Sequence, residues 1–193
     1  MHPAADYVVR DYDTSDEPSW LRCRVLSFLA TAYFDDVVVT KPHVQRPGFE
    51  LVAVNPHHTV VGLLDVAIDD TVATIETVAV HPDHQHRGIG RALFDVALHR
   101  GRAHNLTSIS AWTRDDAAAL RWYSAMGFSE GDHYLHVFAN NATDPYEPAR
   151  AVECTRPGLR LISAFLHAEL ADEPLLRERF ARIHICRRFT KRL

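Results

Sequence analysis

Apolar residues recur along this chain with two different periods, and the change of period divides it. Tyr7-Val8-Val9-Arg10 reads as a short first strand. Thr14-Ser15-Asp16-Glu17-Pro18 then supplies capping side chains, first-turn acids and a proline near the first helical position, which together start a helix. Leu21, Val25, Phe28, Leu29 and Ala32 follow at steps of three and four and predict one apolar stripe on that helix, with Trp20 and Phe28 as core or groove residues. Lys41 to Gly48 holds two prolines and reads as a loop. Three segments, Phe49 to Val54, Thr59 to Ile68 and Thr71 to Val80, are apolar and β-branched and are separated by Asn55-Pro56-His57-His58 and Asp69-Asp70. Short turns between such segments predict an antiparallel meander.

The helical period returns from Gly88 to Arg100, with Ile89, Leu93 and Val96 on one face and Gly101 placed to close the helix. Thr107 to Trp112 is a strand. Thr113-Arg114-Asp115-Asp116 fits a capping box for a helix reaching Met126, which Gly127 ends. His133 to Ala139 is a further strand. Residues 141–158 contain Pro145, Pro148 and Pro157 and read as a connection. Beyond it, Leu159 to Leu166 and the alternating Arg182 to Cys186 are strands, with a helix over Glu173 to Phe180 between them. The expected architecture is α+β: a core over residues 6–140 and a C-terminal extension, 141–193, packed on it as strand–helix–strand. Such an addition would narrow an acceptor cleft or make a homodimer contact.

Composition narrows the classes. The chain has 193 residues, 47% hydrophobic and 24% charged, which suits one folded domain rather than disorder. A net charge of -4 argues against a broad nucleic-acid footprint, although Arg187, Arg188, Lys191 and Arg192 crowd the end. Cys23, Cys154 and Cys186 are odd in number and far apart, which fits a reducing cytoplasm better than a disulfide framework. No signal peptide or membrane-spanning run is read, so no membrane partner is expected.

Two motifs carry the chemistry. In Val78-Ala79-Val80-His81-Pro82-Asp83-His84-Gln85-His86-Arg87-Gly88-Ile89-Gly90-Arg91, a strand enters a loop and the loop enters a helix. Gly88 and Gly90 allow close approach of backbone, and the free N–H groups and dipole of a helix N-terminus favour an anion. Arg87 and Arg91 add charge. The pattern lacks the Gly-Lys-Ser/Thr of a P-loop, and Leu93 stands where a dinucleotide fingerprint needs its third glycine. The segment is therefore read as a pyrophosphate cradle. A tight helix entry is the plainer reading of two glycines alone. The second motif, Ala119-Leu120-Arg121-Trp122-Tyr123-Ser124-Ala125-Met126-Gly127-Phe128, presents Tyr123 four residues before the glycine; alone it would be an aromatic core pair closing a helix.

Together, in this order, the motifs resemble the GNAT superfamily of N-acetyltransferases. Gln85-x-x-Gly88-x-Gly90 is similar to its Q/R-x-x-G-x-G/A loop, and Trp122 to Phe128 resembles its (L/F)YEKxGF segment. Asp116 stands where many members have Asn. The resemblance covers roughly residues 6–140. It implies a mostly antiparallel mixed sheet flanked by helices, with the fourth strand, Val72 to Val80, and the fifth, Thr107 to Trp112, splayed around the pantetheine arm of acetyl-CoA. Backbone of Val78 and Val80 would meet the acetyl and pantetheine groups. Gln85, His86, Arg87, Gly88, Ile89, Gly90, Arg91 and Asp116 are the implied cofactor-binding residues.

The implied reaction moves an acetyl group from acetyl-CoA to a primary amine of a small molecule or peptide. A lysine-like amine with pKa about 10.4 is neutral in only about one molecule in 2,500 at pH 7, so a base or a desolvated site is useful. Tyr123 stands where the family's general acid protonates the leaving thiolate. Glu76 is the candidate base, assigned from strand parity with Thr74, Val78 and Val80; a solvated strand carboxylate is its other reading. His81 is a second candidate. His81, His84 and His86 invite a metal, but no His-carboxylate spacing on one helix supports it, and no metal is expected. The alternative function is a catalytically silent CoA-binding sensor or interaction domain.

Overall fold

A computed structural model describes residues 6–44, 47–152 and 156–193. Cys154 lies outside them, as do Gln45 and Arg46 of the expected loop. The chain divides into two compact units: residues 1–111, 123–129 and 190–193, and residues 112–122 and 130–189.

The first unit is built on strands β1 (Val8–Asp11), β2 (Gly48–Val54), β3 (Val60–Asp69), β4 (Val72–Val80) and β5 (Ser108–Thr113), hydrogen-bonded in that order. β1 to β4 are antiparallel, as the short turns require. β4 and β5 are parallel because α2 (Ile89–Ala103) intervenes as a crossover. Their register runs from Val72↔Ser108 to Ile75↔Ala111, and β4 continues for another five residues.

Helix α1 (Glu17–Phe28) starts after a capping box in which the Asp13 carboxylate accepts from Ser15 N at 2.9 Å and Asp16 Oδ2 accepts from Asp13 N at 2.9 Å. Its fully buried residues are Trp20, Cys23, Arg24 and Ser27; of the stripe expected at Leu21, Val25, Phe28, Leu29 and Ala32, Leu21 and Phe28 pack partly buried against that core. The helix ends at Phe28, and Leu29 is 63% exposed. Two arginine- and serine-bearing positions face inward because each finds a partner there: Ser27 Oγ donates to Cys23 O, and Arg24 donates to Asp36. Polar satisfaction thus overrode a pattern made of apolar letters alone. Trp20 and Cys23 pack with Val52, Leu63 and Ala79 on one face of the sheet.

Helix α2 takes the opposite face. A Cβ at Gly62 of β3 would sit 2.5 Å from Ile89 Cγ2 and 3.1 Å from Leu93 Cδ1, so a bare backbone there lets the helix lie close. Ile89, Leu93, Phe94, Ala97 and Gly101 are its buried residues. Gly101 does not close the helix. It is buried within it, against Leu106 and Leu193, and the left-handed residue after the helix is Asn105, at φ 57°.

The second unit contains β6 (Ser129–Asn140) from Glu130 on, with β7 (Ser163–Ala168) and most of β8 (Arg182–Arg192) on either side of it. The expected strand–helix–strand is present as β7, α5 (Glu173–Arg177) and β8. A further short helix, α4 (Glu147–Ala151), falls in the stretch read as a connection. Its Glu147 carboxylate accepts from Asn140 N at 3.1 Å and Ala181 N at 2.7 Å, which fixes the connection to the sheet. Leu135, Val137, Ala139, Phe180 and Ile183 form this unit's core. Alternation puts Tyr134, His136 and Phe138 on the other face of β6. There β7 brings His167 opposite His136 and Phe165 opposite Phe138.

Helix α3 (Ala117–Ala125) begins at Asp116, whose Oδ1 accepts from Ala118 N and Ala119 N at 3.0 Å each. Asp116 is therefore the capping residue, in place of a box begun by Thr113. The helix stops where expected, at Gly127, whose φ of 78° suits glycine.

Candidate active site

The loop read as the cradle forms where β4 runs out. His81 N donates to Val61 O at 2.9 Å, the last tie to β3. Pro82–His84 makes one tight turn, held by His84 N to His81 O and by Asp83 N to His81 Nδ1 at 3.2 Å. His81 is thus a turn former. The Gln85 side chain reaches back, its Nε2 donating to Val80 O at 3.2 Å, so the loop is stapled to the strand end. His86 has φ 62° and Gly88 φ 78°. A left-handed non-glycine residue stores backbone strain, and here it stands in the loop read as the ligand site.

Gly88 is the N-cap of α2 and offers no side-chain cap. The first acceptor bond of the helix is Ala92 N to Gly88 O, at 2.9 Å. The N–H groups ahead of it have no acceptor within the helix and carry the positive end of its dipole. A Cβ at Gly88 would meet nothing nearer than the Tyr7 hydroxyl at 3.9 Å, so the mouth is open. Arg87 and Arg91 are exposed beside it. These residues fit a pyrophosphate.

The β4 register contains a bulge that strand parity does not anticipate. Asp65 pairs with Thr77 and Val66 with Ile75, leaving Glu76 as the extra residue. A bulge reverses which side chains share a face. Thr74 and Thr77 lie with Ala67 and Asp65, whereas Val78 and Val80 lie with Leu64 and Gly62. The shared parity of Glu76 with Thr74, Val78 and Val80 is therefore corrected. Glu76 is exposed at the bulge.

Tyr123 belongs to the same unit and is 4% exposed. Its ring meets Phe128 edge-on at 5.3 Å, and Phe128 lies 5.3 Å from Phe94 of α2. Burial, with Tyr33 nearby, pushes the phenol well above its ordinary pKa, so it holds its proton. Asp116, the remaining expected cofactor contact, belongs to the second unit, where its carboxylate caps α3. Among the described residues, no group of three or more His, Cys, Asp or Glu is placed to hold a metal, and no helix is long and apolar enough to cross a membrane.

Sequence reading passed over one charged group. Lys41, Glu50 and Asp65 form a cluster, with Lys41 and Asp65 buried. Its signal was present: Asp65 is a lone carboxylate inside the apolar run Val60 to Ile68.

Comparison with known proteins identifies the family. The family model described as "Acetyltransferase (GNAT) family" matches residues 6–128. A mycothiol acetyltransferase of Tsukamurella paurometabola is 42% identical over 64 residues, which is 33% of this chain and 21% of that protein. The match thus spans about a fifth of that relative's length. The crystal structure of the ribosomal-protein-S18-alanine N-acetyltransferase from Escherichia coli superposes with a TM-score of 0.59 at 13% identity, over 96% of this chain and 93% of that one. The PaiA N-acetyltransferase from Thermoplasma acidophilum, solved in complex with coenzyme A, gives 0.55 at 13% identity, over 65% and 91%. At such identities the structural likeness concerns the fold, and the family match covers most of the chain: this protein belongs to the GNAT acetyltransferase family.

Proposed function

We propose that the protein is an N-acetyltransferase that moves the acetyl group of acetyl-CoA to a primary amine of a small molecule or peptide. The observation that carries this reading is the succession of bulge, loop and uncapped helix: Glu76 bulged on β4, then His86 and Gly88 in left-handed conformation at the open start of α2. Bound acetyl-CoA supplies an activated thioester. The backbone from His86 to Arg91, with Arg87 and Arg91, holds its pyrophosphate. β4 beyond Ile75, where its pairing to β5 ends, offers backbone at Val78 and Val80 to the pantetheine arm. The Val80 carbonyl already accepts from Gln85, so Gln85 supports the cradle by fixing its strand.

Glu76, exposed at the bulge, takes the proton released by the amine as nitrogen attacks. Tyr123 gives its proton to the departing thiolate. A phenol with a raised pKa is a weak acid in water, but a thiolate in the same desolvated surroundings is a stronger base, and the transfer stays matched. The products are an amide and a free thiol; Glu76 then gives its proton to solvent and the Tyr123 phenolate takes one from it, which restores both groups.

The test is thermal unfolding with acetyl-CoA, followed by release of free thiol with a panel of primary amines. Acetyl-CoA stabilises the protein far more than NAD or ATP does. Gly88→Asp loses that stabilisation, because a carboxylate repels pyrophosphate and strains φ 78°. Tyr123→Phe keeps it and loses thiol release. No stabilisation by millimolar acetyl-CoA would remove the reading. Stabilisation without thiol release from any amine would favour the silent CoA-binding domain.

A further inference from the structure

Asp65 has no part in that reaction, yet its surroundings are those of a binding group. Its side chain is 4% exposed and lies on the α1 face of β3, directly opposite Thr77, the residue after the bulged Glu76. Lys41 Nζ stands 3.2 Å from Asp65 Oδ2 and 2.5 Å from Glu50 Oε1, beneath the rings of Tyr12 and Trp20 at 4.8 and 5.1 Å. Asp65 Oδ1 is buried with no hydrogen-bond partner. Native proteins leave few buried polar atoms unsatisfied, and those few call for an occupant or a role. Trp20 Nε1 and Arg24 Nε on α1 are in the same condition.

The charge count is also incomplete. With both carboxylates ionised, Glu50 and Asp65 carry two negative charges against the single positive charge of Lys41. Arg24 also favours the charged carboxylate, but its guanidinium is shared with a third carboxylate, Asp36, Nη2 to Oδ2 at 2.9 Å, so the excess of negative charge remains. Glu17, which accepts from Lys41 N at 2.8 Å, makes the surroundings more negative. Burial, opposed by Lys41 and Arg24 and aided by Glu50, raises the Asp65 carboxyl to about 6, so it is charged at neutral pH with one oxygen unmatched. One further cation with N–H donors completes the group.

We propose that Asp65 Oδ1 accepts a hydrogen bond from the ammonium group of the arriving acceptor amine, which gives one proton to solvent before its neutral nitrogen attacks, and so selects cationic primary amines over neutral analogues. This rests on the reading of the protein as an amine acetyltransferase and names the side chain that recognises the acceptor. An alcohol of the same size leaves the charge unmatched and binds poorly.

The experiment follows the Asp65 carboxyl carbon by NMR in 13C-aspartate-labelled protein. The resonance is assigned by its loss in Asp65→Asn, or by backbone correlation if that variant does not fold. Millimolar n-butylammonium chloride lowers the Asp65 midpoint by about half a unit or more, whereas n-butanol, with sodium chloride at equal ionic strength, leaves it in place. An unmoved midpoint, or equal movement with n-butanol, overturns the proposal. Acetyl-CoA stabilisation, measured on the same samples, reports separately on the functional reading: its absence would sink that reading and leave the carboxyl titration to judge Asp65.

Discussion

Asp65 in the first unit and His136 in the second are both ionisable groups taken out of water, and burial drives both toward neutrality. The consequences run in opposite directions on the pH scale. Asp65 becomes neutral by keeping a proton, and its pKa rises to about 6, chiefly through burial. His136 becomes neutral by losing one, and its pKa falls to about 4, again chiefly through burial, then through the Arg114, His167 and His184 charges. The partners fix the His136 tautomer. Arg114 Nε donates to Nδ1 at 3.1 Å, so Nε2 carries the hydrogen and donates to the Tyr134 hydroxyl at 3.0 Å. His167 stacks on the ring at 4.9 Å, with 12° between planes. The two sites show that one physical cause, desolvation, prepares one region to hold a cation and the other to exclude one.

The signs follow from proton linkage. A carboxyl whose pKa is raised on folding contributes stability below its unfolded pKa and loses it as pH rises through the folded value. For Asp65 that window is from 3.8 to about 6. A histidine whose pKa is lowered contributes above its unfolded pKa and loses that contribution as pH falls. For His136 the window runs from 6.5 down to about 4.

The largest expected effect is on Asp65. The stability of the wild type relative to Asp65→Asn falls by about 3 kcal/mol between pH 3 and pH 8, measured by urea unfolding at each pH. A flat difference would mean that Asp65 ionises normally and the contrast with His136 is false. Ligand binding should sharpen the comparison next. At a hundredfold excess over Kd, acetyl-CoA adds about 2.7 kcal/mol, and hydrogen exchange slows in the amides of residues 86–92 while those of residues 134–138 change less. Equal slowing in both segments would show that the two units respond as one.

His136→Phe should remove a loss of stability of about 1–2 kcal/mol that the wild type shows as pH falls from 6.5 to 4, a figure reduced for partial screening by solvent. If the variant keeps the acid-limb loss, another group titrates there. The smallest effect separates packing from charge. Gly101→Ala places a methyl 3.1 Å from Leu193 Cδ1 and 3.3 Å from Leu106 Cδ1, and costs about 1 kcal/mol or less with no change in pH slope.

Much of this fold was legible in local letters. The meander strands, the crossover helix, its glycine entry and the strand–helix–strand near the C-terminus follow from period, turn residues and capping residues, all properties of neighbours along the chain. Three misreadings share a cause. Part of the α1 stripe, the Gly101 stop and the parity of Glu76 were each inferred from spacing, and each differs where the fold sets the environment: Arg24 turns inward to Asp36, Gly101 is buried inside α2, and the pairing with β3 leaves one residue of β4 out.

The sequence by itself determined the family, the glycine loop that opens α2 and the aromatic Tyr123 ahead of a helix stop, because these depend on residue types at short fixed spacings. Tertiary structure alone decided which ionisable groups are buried and beside what. Lys41, Glu50 and Asp65 are separated by 9 and 15 residues, and His136 meets a stacking partner 31 residues away. Desolvation and charge pairing act through space, so no local pattern could have set the protonation of Asp65 or His136.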